Sequence, residues 1–224
     1  MATARKTVEL FYDVVSPYSW MAFEVLCRYR PHWNINLQLK PFFLGGVMQA
    51  SDNKPPGFVR FKALYLPKDV ERLGEYFQVP VSFPANLMDV MFNKGSLTAQ
   101  RFLTAVDMEI PEQTEKVSRE LWRRIWSKGQ DITEPESFKQ AGEAAGLSDS
   151  EIAEALAKMT TQPVKDRLKS HTERATKLYA FGAPFIVAHV NGKEEVVFGS
   201  DRFPILARIL GEEWLGPVPS NSKL

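Results

Sequence analysis

Apolar residues dominate the run from Val8 to Val15, which stops at Ser16-Pro17 and reads as a buried strand. From Pro17 to Arg30, Trp20, Phe23 and Cys27 recur at spacings of three and four, the period of a helix. Asn34 to Lys40 then alternates polar and apolar at every step, as a half-buried strand does. Strand, helix and strand within about thirty residues predict a βαβ unit, parallel and right-handed. Residues 45–57 are rich in Gly, Asn, Asp and Pro, end in Asn53-Lys54-Pro55-Pro56-Gly57, and read as a loop.

From residue 61 to 179 the periods are helical. Ala99, Phe102, Leu103 and Val106 form one apolar stripe. Val117, Leu121 and Ile125 form another, flanked by Trp122 and Trp126, which reads as core rather than a cofactor box. Thr133 with Glu136, and Ser148 with Glu151, have capping-box spacing, and Leu147 with Ile152 fits a hydrophobic staple. A further helix, with Val164, Leu168, Ala175 and Leu178 inward, runs to Gly182. Strand character returns at Phe185 to Val190, turns at Asn191-Gly192, and continues from Glu195 to Phe198. A final helix ends near Gly211, with Ser200 or Asp201 as its cap and Pro204 in its first turn. The order βαβ, helical block, ββα predicts an α/β fold. Residues 1–60 and 180–224 would form one discontinuous domain, and 61–179 an all-helical insertion.

Charge narrows the choice. The 224 residues carry 28 basic and 27 acidic side chains, mixed along the chain, which gives no footprint for nucleic acid or a membrane surface. No apolar run approaches the ~18–20 residues that cross a bilayer. Cys27 is the only cysteine, so an intrachain disulfide and a Cys-rich zinc site are both excluded. It reads as a small structural residue of the first helix. The basic N-terminus reaches its strand pattern by Val8, leaving little room for a transit peptide. Ser222-Lys223-Leu224, after Pro217, Pro219, Ser220 and Asn221, reads as the address taken by the peroxisomal import receptor.

The strand-turn-helix at Ser16 aims the first helical N–H groups at whatever rests on that residue. In some proteins this turn carries Cys-x-x-Cys; here it is Ser16-Pro17-Tyr18-Ser19, and disulfide exchange is excluded. A serine nucleophile needs a base, yet His32, His171 and His189 lie in no triad motif and there is no G-x-S-x-G elbow. On the residues alone, Ser16 is either a helix cap or a hydrogen-bond donor to a ligand.

The topology, with Ala183-Pro184 directly before the third strand, resembles the thioredoxin fold, and the large helical insertion resembles its DsbA-like branch. FYDVVSPYSW, NKPPG, KGSLTAQRFLTAV, SRELWRRIWS, DITEP, FGAPFIVAHV, FGSDR and LGEEWLGP, in that order over nearly the whole chain, resemble kappa-class glutathione transferase. The resemblance implies a homodimer of peroxisomes or mitochondria, with Ser222-Lys223-Leu224 pointing to the former. It implies conjugation of glutathione, a co-substrate used without a metal, to small electrophiles, with peroxide reduction as a side activity. It implies Ser16 as the catalytic residue, its hydroxyl facing the glutathione sulfur. Glutathione contacts are implied at Ser16, Pro17, Tyr18, Asn53, Lys62, the main chain of Ala183 beside Pro184, Ser200 and Asp201. Arg202 would add a contact that reaches a neighbouring subunit. Ala183 stands where the family often has a larger residue, which alters the pocket for the electrophile. Two other readings use the same site: a glutathione-dependent isomerase of the hydroxychromene-carboxylate type, and a non-catalytic glutathione-binding protein.

Overall fold

A computed structural model describes residues 4–83 and 95–220, so the Ser222-Lys223-Leu224 tripeptide lies outside the described residues. Strands β1 (Lys6–Tyr12), β2 (Ile35–Pro41), β3 (Phe185–Val190) and β4 (Lys193–Phe198) form a sheet in the order β2-β1-β3-β4. β1 runs parallel to β2, with Leu10 opposite Leu39, and antiparallel to β3, with Leu10 opposite Ile186. It has a neighbour on each side, and Val8, Leu10, Phe11 and Tyr12 are wholly buried. An inner strand covered on both faces needs apolar residues at successive positions, which explains Leu10-Phe11-Tyr12. Asn191 and Gly192 both take positive φ (53° and 74°), the requirement of a two-residue type I′ hairpin between β3 and β4.

Helix α1 (Pro17–Tyr29) follows β1 and packs on it, and α9 (Phe203–Leu210) packs on β3 and closes at Gly211. Between β2 and β3 come α2 (Leu44–Ala50), α3 (Arg60–Phe77), α4 (Leu97–Glu109) and α5 (Thr114–Trp122). A π-helical turn (Arg123–Ser127), α6 (Pro135–Ala145), α7 (Asp149–Lys158) and α8 (Gln162–Lys177) complete the insertion. Both predicted stripes, on α4 and on α5 with its π turn, are fully buried, Trp122 and Trp126 included. Ser148 and Glu151 form the capping box of α7, and Leu147 and Ile152 are both buried. This is an α/β thioredoxin-like sheet interrupted by helices.

Four local expectations are corrected. The supposed loop at 45–57 is helical over residues 45–50, because α2 starts at the buried Leu44, Val47 is buried too, and Phe43 N–H donates to Thr172 Oγ1 (3.0 Å). The glycines there permit close packing: a Cβ on Gly45 would meet the Phe43 ring at 2.7 Å, and one on Gly46 would meet Thr172 at 3.3 Å. Thr133 does not cap α6. The Asp131 carboxylate takes the N–H groups of Thr133 and Glu134, and the Thr133 hydroxyl donates to it as well. The last insertion helix stops at Lys177 rather than Gly182, and Tyr179 is left-handed (φ 64°). Neither Ser200 nor Asp201 caps α9, because the helix starts at Phe203 and its cap position falls on Arg202.

The segment after α9 straps α1. Trp33 Nε1–H donates to Glu213 C=O (2.8 Å), and Tyr29 O–H donates to Gly216 C=O (2.7 Å). Trp214 stacks on both Tyr29 and Phe203.

β1 ends inside the protein, and Asp13 organises that end. Its buried carboxylate accepts Val15 N–H (3.0 Å), Leu44 N–H (3.0 Å) and the Ser96 hydroxyl (2.8 Å), joining the ends of β1, α2 and α4. Gln100 Nε2 donates to the carbonyls of Tyr12 (2.8 Å) and Phe42 (2.7 Å). Burial pushes the Asp13 carboxyl from 3.8 up to about 6, although its three donors oppose the shift. The folded state therefore holds this proton more tightly than the unfolded chain. The stabilisation is complete below about 3.8 and lost as pH rises through about 6. A two-unit shift corresponds to about 3 kcal/mol. Asp13→Asn cannot ionise, so it gains stability relative to the parent between about pH 4 and 6. Urea unfolding of both proteins across that range measures the gain, and a pH-independent difference contradicts it.

Candidate active site

Ser16 is the N-cap of α1, in extended backbone (φ −95°, ψ 116°), with Pro17 as the first helical residue. Pro17 lacks the N–H that would go unpaired there and is preset for the helix. Ser16 Oγ accepts the N–H of Ser19 (3.1 Å), which leaves the hydroxyl proton available for a partner outside the helix. The cap uses the oxygen of the Ser16 hydroxyl and not its proton. Ser19 is wholly buried, and its own hydroxyl meets no partner.

The turn is held from the insertion. Trp122 Nε1–H donates to Ser16 C=O (3.2 Å), and Trp126 Nε1–H donates to Val14 C=O (3.2 Å). Tyr18 O–H donates to Asp69 Oδ2 (2.6 Å) and ties α1 to α3. Burial, then the adjacent Asp69, push the Tyr18 phenol well above its ordinary pKa, so it stays protonated.

Ser16 opens on a cleft of about 780 Å³, and Pro17, Tyr18, Asn53, Lys62 and Ala183 line the same cleft. Asn53 Nδ2 donates to Phe181 C=O (2.6 Å), while its Oδ1 accepts Lys54 N–H (2.9 Å). Ala183-Pro184 is a cis peptide. Ser200, Asp201 and Arg202 do not line the cleft. They follow Gly199, whose N–H donates to Pro184 C=O (3.1 Å), and the Asp201 charge acts on Tyr18 at the cleft. Ser200 is buried, while Asp201 and Arg202 are exposed and paired with each other at 2.5 Å. Arg202 thus meets its own neighbour in the chain.

One wall of the cleft escapes sequence reasoning. Phe43, Met48, Leu66, Trp126, Phe181 and Phe198 make it apolar. Trp126 reads as core, and Met48 falls in the stretch read as loop, so no local signal marks them as a surface.

None of the three histidines lines the cleft that Ser16 opens on. His171 turns Nδ1 to Pro41 C=O (2.9 Å), and burial lowers its pKa to about 4. Burial, with Glu115 and Glu24 nearby, pushes the Cys27 thiol well up, which makes it a poor nucleophile. Among the described residues no three His, Cys, Asp or Glu side chains gather to hold a metal ion. No described helix is long and apolar enough to cross a membrane.

The DSBA-like thioredoxin domain family matches residues 7–211. The chain is 52% identical over 219 residues to human glutathione S-transferase kappa 1, covering 98% of this chain and 97% of that one. It is 34% identical over 222 residues to glutathione S-transferase kappa 2 of Caenorhabditis elegans, covering 96% of each. In structure it resembles a 2-hydroxychromene-2-carboxylate isomerase, with a TM-score of 0.73 at 20% identity over 92% of this chain and 94% of that one. That likeness extends to the fold. The chain belongs to the kappa class of glutathione transferases, enzymes that take glutathione as co-substrate, built here on a DSBA-like thioredoxin domain.

Proposed function

We propose that the Ser16 hydroxyl donates a hydrogen bond to the glutathione sulfur and holds it as a thiolate, which attacks small electrophiles. The carrying observation is the double use of Ser16: its oxygen caps α1 through Ser19 N–H while its proton stays available, with no histidine on the cleft. Serine is then a donor and never a nucleophile.

The energies are sufficient. A free thiol has a pKa of about 8.5, so only a few per cent is thiolate at neutral pH. Lowering it by about two units requires roughly 2.7 kcal/mol of preference for the thiolate. A hydrogen bond to a charged group supplies about 1.5–3 kcal/mol. The N-terminus of α1 adds about 0.3–1 kcal/mol. The displaced proton leaves to solvent, a C–S bond forms, and a halide or other leaving group departs with its electron pair.

Lys62 and Asn53 suit the glycyl carboxylate of glutathione. Asp201 and the α9 N-terminus beside Ser200 suit the charged γ-glutamyl end, and the Ala183 main chain suits the extended peptide between. The apolar wall receives the body of the electrophile.

Ser16→Ala retains glutathione affinity and loses most of kcat, and the absorbance of the bound thiolate titrates about one to two pH units higher. An unchanged titration removes Ser16 from the mechanism. The same assay, followed by product analysis, separates conjugation from isomerisation: conjugation consumes glutathione, whereas an isomerase regenerates it. Binding with no rate above the uncatalysed reaction would leave a glutathione-binding protein only.

The reading extends to a homodimer. α3 exposes Phe61 (77%), Leu64 (71%) and Tyr65 (55%) along one stretch, an apolar patch of the kind that marks an interface. Sedimentation should find a dimer that Phe61→Glu with Leu64→Glu splits; a monomeric parent protein contradicts this. It also extends to import through Ser222-Lys223-Leu224. A fluorescent protein ending in these residues should collect in peroxisomes, and a diffuse signal would count against that address.

A further inference from the structure

Two carbonyls frame the turn that presents Ser16, and α5 with the π turn that continues it holds both. Val14 C=O receives the indole N–H of Trp126, and Ser16 C=O receives that of Trp122, each at 3.2 Å. Ser16 C=O also accepts the Trp20 N–H of α1, a longer bond at 3.3 Å. Both tryptophans are fully buried and four residues apart, and the π-helical turn begins between them at Arg123. Lys128 N–H closes that turn on Arg123 C=O, five residues back (3.0 Å).

The indoles are themselves immobilised. Trp122 stacks parallel to Trp20 (6.4 Å, 5°) and touches Phe23 (4.8 Å) and Tyr12 (5.2 Å). Trp126 meets Phe83 edge-on (5.6 Å, 76°), and its carbonyl accepts the Ser82 hydroxyl (3.1 Å). An indole N–H is a donor only, so each has one use, and both are spent on this turn.

We propose that Trp122 and Trp126 are positioning residues for the reaction: together they fix the peptide planes around Ser16 and set the direction in which its hydroxyl donates. The proposal rests on the role of Ser16 given above and goes beyond it. The helical insertion, through the π turn, aligns a group that belongs to the sheet-and-helix unit. A misdirected hydroxyl still caps α1 but no longer points its proton at the sulfur.

Trp122→Phe and Trp126→Phe keep an aromatic ring and remove the N–H. The readout is the pH titration of glutathione thiolate absorbance on the enzyme with no electrophile present, so contacts of Trp126 to the electrophile play no part. The expected result is a titration about half to one pH unit higher in either variant, near the worth of one hydrogen bond. kcat should fall about threefold to tenfold, with KM for glutathione within about twofold of the parent. A role in packing alone would lower Tm and leave the titration where it was. Trp122 lies at the centre of the aromatic cluster; if its variant does not fold, Trp126→Phe decides the matter. Folded variants that titrate like the parent overturn the proposal. Ser16→Ala in the same assay separates the two claims. If it shifts while the Trp variants do not, only the clamp falls; if it too is unmoved, the role of Ser16 falls first.

Discussion

A strand that ends beneath the surface leaves carbonyls and amides where water cannot reach them, and each one left unpaired costs about 1–3 kcal/mol. Here that strand is β1, and the turn after it carries Ser16. Tyr12 C=O is met by Gln100 and by Phe42 N–H, Val14 C=O by Trp126, and Ser16 C=O by Trp122. The Asp13 carboxylate collects the amides of Val15 and Leu44 and the hydroxyl of Ser96. Four of these partners, Ser96, Gln100, Trp122 and Trp126, come from the insertion or its approach. Without them the sheet would end in a cluster of unsatisfied groups. The insertion therefore completes the β1–α1 turn as well as covering it.

The chemistry follows from what that turn leaves over. Its polar atoms are committed inward, and the Ser16 proton is available outward. The protein's one sulfhydryl, Cys27, is held in its high-pKa form away from the cleft. A reactive sulfur must then arrive with a ligand, which agrees with membership of a class whose co-substrate is a thiol. The apolar wall of Phe43, Met48, Leu66 and Phe198 beside Ser16 gives a second reactant somewhere to sit.

Features encoded within a few residues were legible in the sequence. The Asn191-Gly192 hairpin needs two positive φ angles, and Asn-Gly is the pair that supplies them. The Ser148–Glu151 box closes over three residues. The illegible features depend on distant partners. Gly45 and Gly46 suggested a loop because their purpose, close approach to Phe43 and Thr172, is visible only once α8 is in place. Thr133 lost its cap role to Asp131, a stronger acceptor two residues earlier. Trp126 reads as core on its own helix, and its donor role depends on Val14, 112 residues away. Pattern alone left Ser16 between cap and donor. The geometry accommodates both, and the particular thiol came from family likeness rather than from periodicity.

The strap over α1 places a delay on the birth of this protein. Tyr29 waits for Gly216, 187 residues later in the chain. At a ribosomal pace of about 5–20 residues per second, that interval lasts about ten to forty seconds. Through it α1 has β1 to pack on but not its final cover, and Tyr29 and Trp33 lack the backbone acceptors that the strap supplies. Slower synthesis lengthens the time that the first helix spends without its strap.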